Sequence, residues 1–219
     1  MQLYYFTKAE YALTNIEKRR VKVSRFESLN DPFEWLSPAC RNHYDMEFLR
    51  YMRKTMDATN GLICMSEDWT NPVQWGHYAE NHRGICLGFE VDTAVASPVK
   101  YFSAREVFDD LSFLIDDQKA AEAWMQDQII LRKFDHWRYE REWRIHVNLV
   151  DAIKEGDLYY EPFGDQVKLN KVLLGARCDV HRTTIQRVLM NLSGVAIIRA
   201  MLAPHKYAVC DERYVHQWD

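Results

Sequence analysis

Eight glycines and six prolines are few for a chain of 219 residues. That scarcity excludes collagen-like, linker-dominated and largely disordered proteins. Neither charge sign is in marked excess: 28 Lys and Arg against 32 Asp and Glu leave a net charge of −4. Bulk electrostatic binding to nucleic acid or an anionic membrane is therefore not expected, although a local basic groove stays open. Apolar runs such as 129–131 and 172–174 fall far short of the roughly 20 residues of a membrane helix, so no membrane partner is expected. The five cysteines form no CxxC pair, and the N-terminus lacks the basic and apolar regions of a secretory signal. A reduced, cytoplasmic protein is the expectation. Also missing are GxxxxGK[ST], GxGxxG and GxSxG, which leaves P-loop, Rossmann and α/β-hydrolase chemistry without support.

What the chain does have is apolar bulk: 47% of its residues are hydrophobic, including seven Trp, twelve Tyr and ten Phe. This suffices for one sizeable core, and a single domain over 1–219 is expected. The periodicity predicts a strand at 3–6, a helix at 9–19 and a strand at 21–23. A polar helix at 45–56, a buried strand at 61–66, a short helix from Pro72 to Tyr78 and a strand at 84–91 follow. Residues 105–133 have helical periodicity, and their acidic pairs Asp109-Asp110 and Asp116-Asp117 read as a solvated face. Strands at 143–147, 171–175 and 195–201 and a helix at 182–191 complete the series. Helices and strands interleave without a strict βαβ period, so the fold class expected is α+β, with a mixed or antiparallel β core and flanking helices.

Four segments are more polar and aromatic than a core requires: 4–7, 24–34, 74–84 and 133–144. In the second, Asn30-Asp31-Pro32-Phe33-Glu34 predicts a loop in which Asn30 or Asp31 caps backbone donors and Phe33 is buried. The third gathers Trp75, His77, Tyr78, Asn81, His82 and Arg83 before Gly84, where backbone can approach closely. Each of these residues has a bland alternative, a helix cap or a lid over the core, but as a group they look like a site. The spacing of His77 and His82, without neighbouring ligands, is weak evidence for zinc, and no metal is expected. In the fourth segment, strand alternation from Tyr139 to Ile145 places Glu140, Glu142 and Arg144 on one face, with the carboxylates about 7 Å apart. An exposed face neutralised by Arg144 is the plain reading. The preceding His136, Trp137 and Tyr139 favour a site for a flat, cationic leaving group.

The ordered motifs NDPFE, WGHYAENHRG and WRYEREWR, with Met65-Ser66-Glu67 and Lys133, resemble a bacterial family described only as a domain of unknown function, DUF2971. A second resemblance carries chemistry. The opening Leu3-Tyr4-Tyr5-Phe6-Thr7, the helix through Ala12, Leu13 and Ile16 and the strand Val21-Lys22-Val23-Ser24 look like the strand–helix–strand entrance of ADP-ribosyltransferases, especially those that modify nucleic acid. Thr7 matches that family's opening strand, and Tyr5 stands where it has a His or Arg holding the adenosine ribose. Glu142, preceded by Glu140, is similar to its catalytic ExE strand.

The resemblance implies a split-sheet fold, NAD as substrate, and an acceptor that is a nucleic acid or a protein. Glu142 would stabilise charge on the ribose and Glu140 would orient the acceptor. Tyr5, Thr7, Ser24, Asn30, Trp75, His77, Tyr78, Asn81 and Arg144 are the further candidates for binding NAD, with Arg83 or Lys133 pairing with its pyrophosphate. Tyr5, Trp75, His77, Tyr78, Arg83 and Glu142 should then surround one cleft. The role implied is a toxin or anti-phage effector, with an antitoxin as its partner. Two other classes stay open: a metal-dependent nuclease or hydrolase using Glu140, Glu142, His77 and His82, and a catalytically inert nucleotide-binding antitoxin or regulatory module.

Overall fold

The computed structural model of the chain describes residues 1–34, 38–109, 111–112, 114 and 117–213. In chain order it contains β1 (Gln2–Thr7), α1 (Ala9–Glu17), β2 (Arg20–Val23), β3 (Ala39–Cys40), α2 (His43–Thr59), β4 (Asn60–Ser66), α3 (Pro72–Tyr78) and β5 (Ile85–Val91). The next elements are β6 (Ala96–Pro98), β7 (Lys100–Phe102), β8 (Val107–Phe108), α4 (Gln118–Met125), a π-helical turn (Gln126–Ile130), β9 (Arg132–Phe134), a 3-10 turn (Asp135–Glu140) and β10 (Glu142–Asn148). The chain ends with β11 (Ile153–Glu155), β12 (Leu158–Pro162), β13 (Val167–Leu174), α5 (Arg182–Val188), β14 (Ala196–Leu202) and β15 (Val209–Asp211). This is the mixed α+β class expected.

Eight strands form one sheet in the order β15-β14-β13-β5-β1-β4-β10-β6. Neighbours are antiparallel except β13 and β14, which are parallel and are joined through α5, as a parallel pair requires a crossover. Leu3, Ile85, Leu87 and Phe89 point to one face, into a core with Ala12 and Ile16 of α1 and Val21 and Val23 of β2. Tyr4 and Cys86 point to the other, onto Trp75 of α3, Leu173 and Ile198. The alternation of strand side chains assigns both faces, and β5, covered on both, is buried at every position but Glu90. Leu49 of α2 and Met125 and Ile129 of the second helical segment build a smaller satellite core.

The sheet has one thin seam. β1 pairs with β5 through six successive residues but meets β4 at Tyr4 and Ser66 alone, while β4 pairs with β10 over its whole length. Further along the same edge of β4, Leu62 exchanges two backbone hydrogen bonds of 2.8 Å with Ser24. A gap is left at Cys64, between the end of β2 and β1.

Three local expectations need correction. Glu140 does not belong to the strand of Glu142: it closes a 3-10 turn, and Arg141 adopts a left-handed conformation (φ 48°) that restarts the chain as β10. Residues 105–133 are not one helix. Asp117 caps α4 by accepting from the Lys119 and Ala120 amides, and β7 and β9 pair in parallel on either side of the segment. Asp109 is exposed; Asp110 and Asp116 lie outside the described residues. Phe33 is 52% exposed rather than buried. The inward positions of its loop are Asp31, which caps the Phe33 amide as expected, and Glu34, which is drawn in by two buried cations.

Candidate active site

The gap beside β4 opens into a cleft of about 280 Å³. Its walls come from elements far apart in sequence. Tyr4, Tyr5 and Phe6 of β1 line one side, and Cys64, Met65 and Ser66 of β4 line the other. Neighbouring residues of β1 point to opposite faces of a sheet, and all three reach the cleft because it sits in the seam between strands. Lys22, Ser24, Ser28 and Asn30 form a polar bank, and Gln74 and Tyr78 approach from α3.

The floor is an ionic cluster of three carboxylates and two cations, all buried: Glu34, Glu140, Glu142, Lys133 and Arg144. The Lys133 ammonium stands 3.1 Å from Glu34 Oε1, 2.5 Å from Glu140 Oε2 and 2.8 Å from Glu142 Oε2. Arg144 donates to Glu142 through Nε at 2.8 Å and Nη2 at 3.1 Å, and it also donates to Glu34 and to the Ile130 carbonyl. Burial alone disfavours every one of these charges, so the cluster persists because each is paired and hydrogen-bonded.

The two key carboxylates behave differently. Burial pushes Glu142 up, but Arg144 and Lys133 outweigh it and hold the carboxyl at about 2. Glu142 is therefore a fixed negative charge rather than a proton carrier. Burial pushes Glu34 up and the same two cations do not fully offset it. A carboxylate offers about four acceptor positions; among the described residues three are used at Glu142, Oε1 being bonded by Arg144 Nε, so one position at Oε1 has no partner there. Glu140 accepts from Tyr78 Oη at one oxygen and from Lys133 at the other. Burial, followed by that carboxylate, raises the Tyr78 hydroxyl, so it remains a donor.

The cluster is held from behind. Ser66 Oγ donates to the Glu140 carbonyl at 2.5 Å and accepts from Gln74 Nε2 at 3.1 Å. Tyr101 Oη accepts from the Glu142 amide at 2.8 Å, and burial pushes its own hydroxyl up to about 12. Cys64 faces the cleft as a thiol raised well above its usual range by burial and then by Glu142, which makes it a poor nucleophile at neutral pH.

Among the residues singled out from the sequence, the cleft brings together Tyr5, Ser24, Asn30, Tyr78, Lys133, Glu140 and Glu142. Arg144 backs it through Glu142 and Glu34. The remaining five do not line it. Trp75 is fully buried, edge-on to Phe6 at 5.2 Å and donating to the Trp69 carbonyl. Thr7 is buried at the end of β1. Asn81 and Arg83 are exposed, on a tight turn in which Glu80, Asn81 and His82 are all left-handed. His77 lies outside on α3, with Nδ1 3.1 Å from Tyr139 Oη and its ring packed near Trp137. Strand alternation expects Glu140 and Glu142 in a row; the Arg141 kink instead turns both onto one ammonium.

Glu34 and Lys22 were not picked out as site residues, nor were Ser66, Gln74 and Tyr101. Glu34 had a signal, as the one charge in NDPFE that no local cap uses. Tyr101, a single aromatic in a short strand, had none. Among the described residues, no group of three or more His, Cys, Asp or Glu side chains is disposed to hold a metal ion, and no helix is long and apolar enough to cross a membrane. The ammonium of Lys133 occupies the centre of the carboxylate triangle, where a cation would otherwise sit.

No curated protein sequence and no solved structure matches the chain. Residues 74–145 match the model of a family described as "Protein of unknown function (DUF2971)". The matched stretch carries Gln74, Tyr78, Lys133, Glu140 and Glu142, whereas Glu34 and the β1 wall lie outside it. Over that third of its length, which holds most of the ionic floor, the chain is similar to DUF2971 proteins.

Proposed function

We propose that the chain is an NAD-dependent ADP-ribosyltransferase whose cleft takes the nicotinamide–ribose half of NAD. The observation that carries the reading is the pairing of aromatic walls with an ionised, buried Glu142 that has an acceptor position to spare. The seam between β1 and β4 suits the split sheet of that fold. At about 280 Å³ the cleft lies at the small end of ligand pockets, roughly 300–1,000 Å³, so the adenosine half would lie outside it.

Breaking the bond between ribose and nicotinamide sends the bonding pair out with the nicotinamide and leaves positive charge on the ribose. Glu142, held ionised by Arg144 and Lys133, sets a negative charge where that positive charge develops. Glu142 accepts from a ribose hydroxyl at Oε1 and stabilises the cationic ribose more than the ground state. Tyr4, Tyr5 and Tyr78 supply faces and edges for the departing ring. Glu140 accepts a hydrogen bond from the incoming nucleophile and takes its proton as the new bond to the ribose carbon forms. The acceptor is a nucleic acid or a protein group.

Incubating the chain with NAD, alone and with nucleic acid or protein fractions, and measuring free nicotinamide and ADP-ribosylated product tests the reading. Nicotinamide released above the rate in buffer supports it. Unchanged NAD in every fraction contradicts it.

A further inference from the structure

We infer that Lys22 is the phosphate contact of this cleft, an inference that rests on the cleft being the ligand site proposed above. Three cations line or back the cleft. Lys133 is committed to three carboxylates, and Arg144 to Glu142, Glu34 and the Ile130 carbonyl. Neither can turn toward an anion without leaving buried carboxylates unpaired, which is costly. Lys22 is half-buried and lines the cleft; its backbone pairs with Tyr160 of β12, but its ammonium makes no ion pair or hydrogen bond with any described residue.

The other cations near β2 are also committed. Arg20, on the same face of the strand, chelates Glu155 at 2.6 and 2.8 Å and lies 3.6 Å over the Tyr160 ring. Arg25 pairs with Asp57 and Glu27. Arg83, a candidate from the sequence, does not line the cleft. Strand alternation explains why Lys22 faces the ligand side: Val21 and Val23 on either side of it are buried in the main core. Ser24 and Asn30 continue the same bank and offer a hydroxyl and an amide there, while the Ser28 hydroxyl donates to the Arg25 carbonyl.

The cleft is thus polarised, with carboxylates on its floor and an uncommitted positive charge at one point on its polar bank. The ligand that fits both ends joins a cationic or cation-forming riboside to a phosphate. A free base or an unphosphorylated nucleoside would leave Lys22 without a partner. A hydrogen bond to a charged group contributes about 1.5–3 kcal/mol, or roughly 10- to 100-fold in affinity.

Calorimetric titration of the wild type, Lys22→Gln and Lys22→Arg with NAD, nicotinamide mononucleotide, nicotinamide riboside and inorganic pyrophosphate tests the inference. We expect Lys22→Gln to weaken the three phosphate-bearing ligands by about 10-fold or more while leaving the riboside within about 2-fold, and Lys22→Arg to restore most of the loss. Equal affinity of wild type and Lys22→Gln for NAD overturns the inference and leaves the transferase reading standing. Lys22-dependent binding of pyrophosphate without binding of any nicotinamide ligand supports the phosphate contact and overturns the transferase reading. A wild type that binds none of the phosphate-bearing ligands overturns the inference.

Discussion

Arg144 grips Glu142 through two nitrogens, Nε at 2.8 Å and Nη2 at 3.1 Å, although the residues are only two positions apart on β10. With Lys133 it holds the Glu142 carboxyl at about 2, below its ordinary 4.5. A carboxyl depressed on folding adds stability above its unfolded value and loses it as pH falls through its folded value. The Glu142 contribution should therefore be complete above about pH 4.5 and disappear toward pH 2. Glu34, raised by burial, acts in the opposite direction, so the comparison with a variant is more telling than the wild-type curve alone. Urea unfolding from pH 6 to pH 2 should show wild type losing more stability than Glu142→Gln across the lower part of that range. Parallel curves would remove the ion cluster from the acid response.

Lys133→Met should be among the most damaging single changes. It removes the ammonium that three buried carboxylates share, and breaking a buried ion pair from one side costs about 3–5 kcal/mol. At roughly 2–4 °C per kcal/mol for a domain of this size, the melting temperature should fall by about 6–20 °C. A shift under about 3 °C would mean that the carboxylates find other partners.

Ser66→Ala probes the support of Glu140. The hydroxyl is buried and joins the Glu140 carbonyl to Gln74 and the Asp68 amide. Its loss leaves the Asp68 amide without its partner and removes one bond each from the Glu140 carbonyl and Gln74, for about 1–3 kcal/mol. Transfer to the acceptor should fall more than nicotinamide release, because Glu140 is the group displaced. Equal loss of both activities would argue against separate tasks for the two glutamates.

A pair of glycines separates packing from propensity. A Cβ at Gly84 would stand 2.3 Å from the Thr7 carbonyl oxygen and 2.8–2.9 Å from Ala79 backbone atoms, none of which can rotate aside. Gly84→Ala should cost about 2 kcal/mol or more. Gly76, inside α3, has nothing within 4 Å of that position, and Gly76→Ala should be neutral or stabilising by up to about 1 kcal/mol. Thermal melts of the two variants check both signs.

Periodic segments were legible in the sequence because one physical cause governs each. β2 alternates because Val21 and Val23 enter the core. α3 begins at Pro72 because Asn71 caps it by accepting from the Val73 amide. What escaped was set by contacts distant in sequence. Hydrophobicity alone points to Phe33 as the buried residue of its loop, yet Lys133 and Arg144, about 100 residues later, pull Glu34 inward instead. The strand expected through Glu140 failed at Arg141, whose left-handed backbone no alternation pattern announces. In the candidate site, Glu140, Glu142, Lys133 and Tyr78 were readable from polar and aromatic clustering. Trp75 was not separable from them, because an aromatic in a motif looks the same whether it lines a cleft or fills the core beneath it.

The central claim is that the fixed charge of Glu142 stabilises a cationic ribose. The most direct measurement is nicotinamide release from NAD by wild type, Glu142→Gln and Glu140→Gln, with folding and NAD affinity checked on the same samples. Glutamine keeps the volume and one acceptor oxygen but removes the charge that matters more in the transition state than in the ground state. The account predicts a loss of about 10²- to 10³-fold or more for Glu142→Gln with NAD binding nearly intact, and a smaller loss for Glu140→Gln. Release of nicotinamide by a folded, NAD-binding Glu142→Gln protein at the wild-type rate would contradict it.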